Sequence, residues 1–211
     1  MSHIGGVFLK KGGIGGANTN KSGLKFEHDT DLATSINTYL YDEYKLIPHE
    51  FKDVESLPFQ GSTSPVYDLI RLKDDYFVGV ITNQNQFYNV LKDSYGLENV
   101  NHKNWKPDEC FFNFETNTVY IVEKKWQQRS GSVDEKMFGF VNKRRLYQNN
   151  FNQLKDEPKP TVEFCALFNS SWWLNGNDGK NEKNYQDYFD NLRIDGIKIF
   201  FDKYEYWWFG L

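Results

Sequence analysis

Two acidic residues and a lysine in the middle of the chain form a pattern that suits hydrolytic chemistry. Asp108 precedes an aromatic, strand-like run, and Glu123 and Lys125 end a β-branched one. Residues 115–117 between the two runs are predicted to form a hairpin turn, which would bring Asp108 beside Glu123. Mg²⁺ prefers oxygen ligands and is often held by one or two carboxylates, with water and phosphate completing its shell. The pair therefore predicts a Mg²⁺ site for phosphodiester hydrolysis, with Lys125 placed to orient the attacking water.

Alternation along a strand predicts how the charged residues around Glu123 are arranged. Glu123, Lys125 and Gln127 are expected on one face, and Lys124 and Trp126 on the other. An ordinary amphipathic hairpin with solvated Glu and Lys side chains has the same spacing. Spacing alone therefore leaves a catalytic and a purely structural interpretation open.

The elements that must position this hairpin predict an α/β (α+β) domain, a central mixed β-sheet flanked by helices. Hydrophobic periodicity and turn residues define these elements along the chain. Before the site, the predicted order is a helix from Ser22 to about Lys45, a hairpin of strands 66–72 and 76–82, and a helix over 83–95. The hairpin carrying Asp108 and Glu123 follows, and then a helix from a Ser132/Glu135 capping box to about Leu154. The last predicted elements are a strand over 161–168, a polar loop over 169–184, a helix over 185–193 and a strand over 196–201.

Length and composition are those of one domain. We expect residues 1–211 to form it, with a glycine-rich N-terminal arm over about residues 1–22. A formal net charge of −4 argues against nonspecific coating of nucleic acid, but not against a nuclease whose acidic cluster adds negative charge. Cys110 and Cys165 fall in apolar runs and are expected to be reduced, which favours a cytoplasmic protein. Neither a signal peptide nor a membrane span is predicted.

The segment from Pro107 to Lys136 resembles a known family. Pro107-Asp108, a hydrophobic strand and Glu123-x-Lys125 resemble the PD-(D/E)XK nuclease signature. The following residues, through Gln127-Gln128 to Lys136, resemble Type II restriction endonucleases of that superfamily. A second patch, from Gly16 to Glu27, resembles the opening of such enzymes, in which a glutamate of the first helix commonly joins the active site.

This resemblance implies a Mg²⁺-dependent, sequence-specific endonuclease that cuts double-stranded DNA to leave 5′-phosphate and 3′-hydroxyl ends. Asp108 and Glu123 would hold the metal with the backbone carbonyl of Lys124. Because the strands of a duplex are related by two-fold symmetry, an enzyme of this size that cuts both is expected to be a homodimer. The implied catalytic residues are Asp108, Glu123, Lys125, Glu27 and Gln127.

Other functions remain open at this point. The same chemistry would serve a non-specific or structure-specific nuclease of the superfamily, or the strand-cutting subunit of a heterodimeric restriction enzyme. The aromatic-rich composition also fits a carbohydrate-binding module that uses the Trp pairs at 172–173 and 207–208, although the long capped helix after Lys125 argues against it. A nucleotide-binding protein would need a phosphate loop at Gly15, where Asn20 replaces the second glycine of the motif.

Overall fold

The computed structural model describes residues 23–130 and 133–211. Within them, a seven-stranded mixed sheet has its strands in the order β1-β2-β3-β4-β5-β6-β7. Neighbouring strands are antiparallel from β1 to β5, and β5, β6 and β7 are parallel. The strands are Tyr44–Pro48 (β1), Tyr67–Arg71 (β2), Tyr76–Thr82 (β3), Glu109–Asn113 (β4), Thr118–Lys125 (β5), Thr161–Phe168 (β6) and Ile197–Phe201 (β7).

Helices cover both faces of this sheet. The first, α1, comprises residues 23–29. The others are Leu32–Tyr39 (α2), Gln86–Tyr95 (α3), Val133–Lys136 (α4), Phe140–Phe151 (α5), Ser170–Trp173 (α6) and Asn181–Ile194 (α7), with short 3₁₀ turns at Val54–Ser56, Met137–Gly139 and Tyr206–Phe209. The predicted α/β fold with a mixed central sheet is confirmed.

The central strand β5 contributes to two hydrophobic cores, one on each face of the sheet. Val119 and Ile121 pack with α3, α5 and α7, whereas Tyr120 and Val122 pack with α2 and the C-terminal 3₁₀ turn. A strand buried on both faces reads as a continuous apolar run, which is why its position was predictable. The same alternation carries the side chains of Glu123 and Lys124 to opposite faces at the strand's end.

The predicted helix from Ser22 to about Lys45 is wrong. The helix is interrupted near Asp31. The Asp31 Oδ1 accepts from the Thr34 N–H at 2.7 Å and so caps a second helix, α2. Residues beyond that helix form the edge strand β1, which pairs with β2 from Tyr44 opposite Arg71. Ser22 and the predicted glycine-rich arm lie outside the described residues.

Two other predicted elements need correction. The long helix after β5 is divided into α4 and α5 by the 3₁₀ turn Met137–Gly139, and it ends at Phe151 rather than near Leu154. Ser132 of its predicted capping box lies outside the described residues. The polar loop over 169–184 contains α6 and the first turn of α7, because Trp173 is fully buried against the core and requires a fixed backbone there. Within residues 23–130 and 133–211, every helix is too short or too polar to cross a membrane.

Candidate active site

The β4-β5 hairpin brings Asp108 to the end of β5. The two strands pair from Asn113 opposite Thr118 to Glu109 opposite Val122, so the residue before β4 meets the residues that end β5. Asp108 Oδ2 accepts from the Lys124 N–H at 2.7 Å, which fixes the carboxylate there. The sequence prediction that Asp108 lies beside this strand end is therefore met by the geometry.

Three oxygen atoms converge on the ammonium group of Lys125. Its Nζ lies 2.8 Å from Glu123 Oε2, 2.9 Å from the backbone oxygen of Lys124 and 3.6 Å from Asp108 Oδ2. These oxygens belong to the three residues predicted to ligate a metal. One cation thus contacts the whole predicted donor set, and Trp173 Nε1 donates to the Lys125 carbonyl at 3.1 Å to hold the strand end in place.

Burial and charge set the ionisation of this cluster. Burial raises the pKa of Asp108, and the Glu123 carboxylate raises it further while Lys125 partly offsets both. Burial acts in the same direction on Glu123, but Lys125 and Lys143 outweigh it and leave the pKa of Glu123 below its ordinary value. For Lys125, burial would lower the pKa, yet the two carboxylates raise it. Lys125 is therefore a fixed positive charge here rather than a proton acceptor.

Lys143 completes the charge balance around Glu123. Its Nζ donates to Glu123 Oε1 at 2.7 Å, so both oxygens of this buried carboxylate are bound by ammonium groups. Sequence analysis did not find this contact, although a signal was present. Lys143 follows Phe140 by three residues and precedes Tyr147 by four, and both of these are buried, so it lies on the inward face of α5. The adjacent Arg144 instead donates to the Val162 carbonyl at 3.0 Å.

A second polar cluster lies on the opposite face of the sheet, directly behind the first. Lys124 Nζ is 3.0 Å from Glu109 Oε1, which also accepts from the Leu32 N–H at 2.9 Å. Tyr204 donates to Glu109 Oε2 at 2.8 Å. Burial raises the pKa of Glu109 to about 7, against the opposing effect of Lys124. This network ties α2 and the C-terminal segment to the β4-β5 hairpin.

The same lysine connects α1 to the site. Lys124 Nζ donates to the Glu27 backbone oxygen at 2.8 Å, so this helix is held against the end of β5. The Glu27 side chain is exposed, and its pKa is raised by partial burial and by the charge of Asp108. The role of Glu27 in the site remains a prediction.

Gln127 lies beyond the end of β5, the strand from whose alternation its orientation was predicted. β5 ends at Lys125, so the alternation of faces does not extend to residue 127. Its side chain is 4% exposed. The Gln127 N–H donates to Asn169 Oδ1 at 2.8 Å, and Asn169 Nδ2 donates back to the Gln127 carbonyl at 2.9 Å. These bonds anchor the segment after β5, and a catalytic role for Gln127 remains a prediction.

The donor chemistry of the first cluster fits a hard cation. Among residues 23–130 and 133–211, no group of three or more His, Cys, Asp or Glu side chains forms a metal cluster. However, two carboxylates and a backbone carbonyl face one positive charge here. Mg²⁺ is commonly bound by a few protein oxygens of this kind, while water and phosphate supply its other ligands. Asp108, Glu123 and the Lys124 carbonyl are the oxygens that would hold such an ion.

Comparison with known proteins points to one class. Residues 69–155 match the family model of the PD-(D/E)XK nuclease superfamily domain. The matched segment runs from within β2 to just beyond α5 and contains Asp108, Glu123, Lys125 and Lys143. The match supports the superfamily, and with it a nuclease, for the part of the chain that carries the site. No curated protein and no solved structure matches the chain significantly.

Proposed function

We propose that the protein is a Mg²⁺-dependent DNA endonuclease of Type II restriction type, with its catalytic centre at the end of β5. The observation that carries the proposal is the convergence of Asp108, Glu123 and the Lys124 carbonyl on the Lys125 ammonium group. This cluster lies within the segment matched to the nuclease family. Nucleases of this superfamily typically use divalent cations, which agrees with the oxygen donors present.

The residues have distinct roles in this proposal. Asp108, Glu123 and the Lys124 carbonyl would hold the cation, which would supply Lewis-acid stabilisation of phosphate charge and make water a better nucleophile. Lys125 remains protonated and offsets negative charge on the phosphate while orienting the water. Glu27 and Gln127 assist from α1 and from the segment after β5. The products are a 5′-phosphate and a 3′-hydroxyl end.

Positive charge beside the centre supports an anionic substrate. Lys125, Lys136, Lys143 and Arg145 line the cavity that contains Glu123, against only Glu123 and Glu135 among the acids described there. This local excess stands out in a chain whose formal net charge is −4. Contacts to phosphates supply much of the affinity of proteins for DNA. Cys110 and Cys165 are buried free thiols, which supports the cytoplasmic location that a restriction enzyme needs.

The Trp pairs do not favour the alternative of a carbohydrate-binding module. Trp173 is fully buried against Phe168 and Tyr185, and Phe209 beside Trp208 is also fully buried. Of the four tryptophans in the pairs, Trp207 is the most exposed, at 66%. Neither pair therefore presents two exposed indoles side by side for a sugar ring.

A homodimer is part of the proposal, because one such centre addresses one strand at a time. Trp173 and Phe209 are fully buried and offer no surface for such a contact. A groove between the 3₁₀ turn after α4 and the end of α7 is a better candidate. It is lined by Phe138, Tyr188 and Ile194, of which Phe138 is 65% and Ile194 82% exposed. Such exposed apolar side chains are suited to burial against a second copy.

Digestion of supercoiled plasmid with and without Mg²⁺ tests the proposal. Discrete fragments that require Mg²⁺ are expected, with Ca²⁺ supporting binding but not cutting, because its looser coordination positions the water poorly. Smeared or merely nicked products would replace restriction with a non-specific, structure-specific or single-strand activity. A plasmid that stays intact under all conditions would contradict nuclease function.

A further inference from the structure

A cavity of about 730 Å³ opens directly beside the proposed catalytic centre. Glu123 and Lys125 form part of its wall, and residues of α4 and α5 form another part. The remaining wall is the side chain of Trp105, from the segment that leads into β4. The volume lies within the range of pockets that enclose small organic groups, and it is larger than a lone phosphate requires.

Trp105 is held rigidly at this wall. Its carbonyl accepts from the buried Tyr88 hydroxyl at 2.7 Å, which fixes the backbone, and its half-buried indole packs against the core on α3's side of the sheet. The ammonium groups of Lys103 and Lys143 lie 4.1 Å and 5.9 Å from the indole centroid. Both ammonium groups lie over the ring, and Lys103 is an exposed side chain that a nucleobase can displace from it. An aromatic ring approached by mobile cations can bind a nucleobase by stacking and its phosphate by charge.

A paired duplex would leave this wall unused. Bases of an intact duplex stack on one another, and the backbone that approaches a catalytic centre presents only sugars and phosphates. Lys136, Lys143 and Arg145 offer those phosphates positive charge, whereas the flat face of an indole gives its stacking energy only to a base. The indole is used only if a base near the cut leaves its stack, as in single strands or in base extrusion.

We propose that the cavity binds an unstacked nucleobase of the strand being cut, with Trp105 as its stacking partner. This inference rests on the proposed nuclease function and adds the conformation of its substrate. The base comes either from a single-stranded segment or from a nucleotide displaced out of a duplex. Trp105 thereby contributes to the choice of substrate, while the carboxylates on the adjacent wall carry the chemistry.

Binding without metal tests the cavity separately from cleavage. Fluorescence anisotropy in EDTA gives the Kd of the protein for three DNAs of one sequence. They are a short single strand, a blunt duplex and a duplex with one unpaired nucleotide. W105L is expected to weaken binding of the single strand about tenfold, the loss of one base–aromatic stack, and to change blunt-duplex binding less than about twofold. W105F keeps a ring and is expected to retain most of the affinity. W207L removes an exposed tryptophan outside the cavity and serves as the control.

The third substrate separates the two sources of the base. If W105L weakens the binding of both the single strand and the duplex with one unpaired nucleotide, the cavity accepts a displaced base. If it weakens the binding of the single strand alone, the cavity accepts only single-stranded segments. Equal losses for all three substrates, or none, would overturn the proposal.

A measurement on the unaltered protein covers the case in which W105L does not fold. A 2-aminopurine placed at successive positions of the single strand is expected to be quenched at the position that stacks on Trp105. Unquenched emission at every position would overturn the cavity proposal. Cleavage of the same strands with Mg²⁺ is followed in parallel. Cutting without any dependence of binding on Trp105 removes the cavity proposal alone, whereas binding without cutting of any substrate removes the nuclease function.

Discussion

Lys143 donates to Glu123 across the boundary between helix α5 and strand β5, with 2.7 Å between Nζ and Oε1. The Glu123 carboxylate is 3% exposed, and Lys125 binds its other oxygen at 2.8 Å. A buried carboxylate needs such partners, because an uncompensated charge in a protein interior is costly. The pairing joins β5 to the helix that forms a wall of the adjacent cavity, so in the proposed nuclease Lys143 would meet both Glu123 and an incoming phosphate.

Removal of this ammonium group is expected to slow cleavage. We predict that Lys143→Met lowers the cleavage rate at least about tenfold, or about 1.4 kcal/mol in barrier, because phosphate loses a nearby positive charge. Initial rates on plasmid measure the effect. Lys183→Met, which removes an exposed lysine from α7, is the matched control. A folded K143M protein that cuts at the unaltered rate would assign Lys143 a structural role only.

Local patterns predicted much of the fold and the hairpin at the centre of the candidate site. β5 and β6 were predictable because both faces are buried, and the predicted hairpin placed Asp108 beside the end of β5. The assignment of Asp108, Glu123 and Lys125 to an active site came from the resemblance to PD-(D/E)XK nucleases, and it stays a prediction. β1 was not predictable, since its strand character depends on pairing with β2, far along the chain.

Contacts between distant elements were not predictable from such patterns either. The Lys124–Glu109 pair and the bond from Lys124 to the Glu27 carbonyl join residues brought together only by tertiary packing. The charge of Lys124 was visible in the sequence, but its burial behind the site was not.

Glu27 offers a test of whether α1 belongs to the site. We predict that Glu27→Gln reduces turnover more than about tenfold without a matching change in Tm, because the exposed carboxylate stabilises chemistry rather than the fold. Asp29→Asn, an exposed change two residues away, controls for the charge of the helix. Normal cutting by E27Q would leave Glu27 outside the site.

Glu109 is expected to make stability depend on pH. Its pKa is raised to about 7 in the folded protein, above an ordinary value of 4.5, so the folded state retains a proton that the unfolded state releases. The stability that this retained proton provides is fully present below about pH 4.5. As pH rises through about 7 it is lost, and the free energy of unfolding falls by up to about 3 kcal/mol. When the free energy of unfolding is measured with urea from pH 5 to 8, it should change less steeply with pH for Glu109→Gln than for the unaltered protein. Parallel slopes would contradict this prediction.

The proposed dimer is tested at its exposed apolar groove. Size-exclusion chromatography with light scattering is expected to give twice the chain mass of 24.9 kDa for the unaltered protein, and the mass of one chain for Ile194→Lys, because a charge in an apolar contact is poorly solvated. Val54→Lys alters an exposed apolar residue elsewhere and should leave the dimer intact. An unaltered protein that remains a monomer with and without DNA would overturn the homodimer.

The most direct measurement of the central claim compares plasmid cleavage in Mg²⁺ by the unaltered protein and by Asp108→Asn and Glu123→Gln variants. Both substitutions keep the shape of the side chain and remove the charge that would hold the cation. DNA binding is measured for the same samples in Ca²⁺, and circular dichroism verifies the fold. The account predicts that each variant binds DNA and leaves the plasmid uncut. Cleavage at the unaltered rate by a folded Glu123→Gln protein would contradict it.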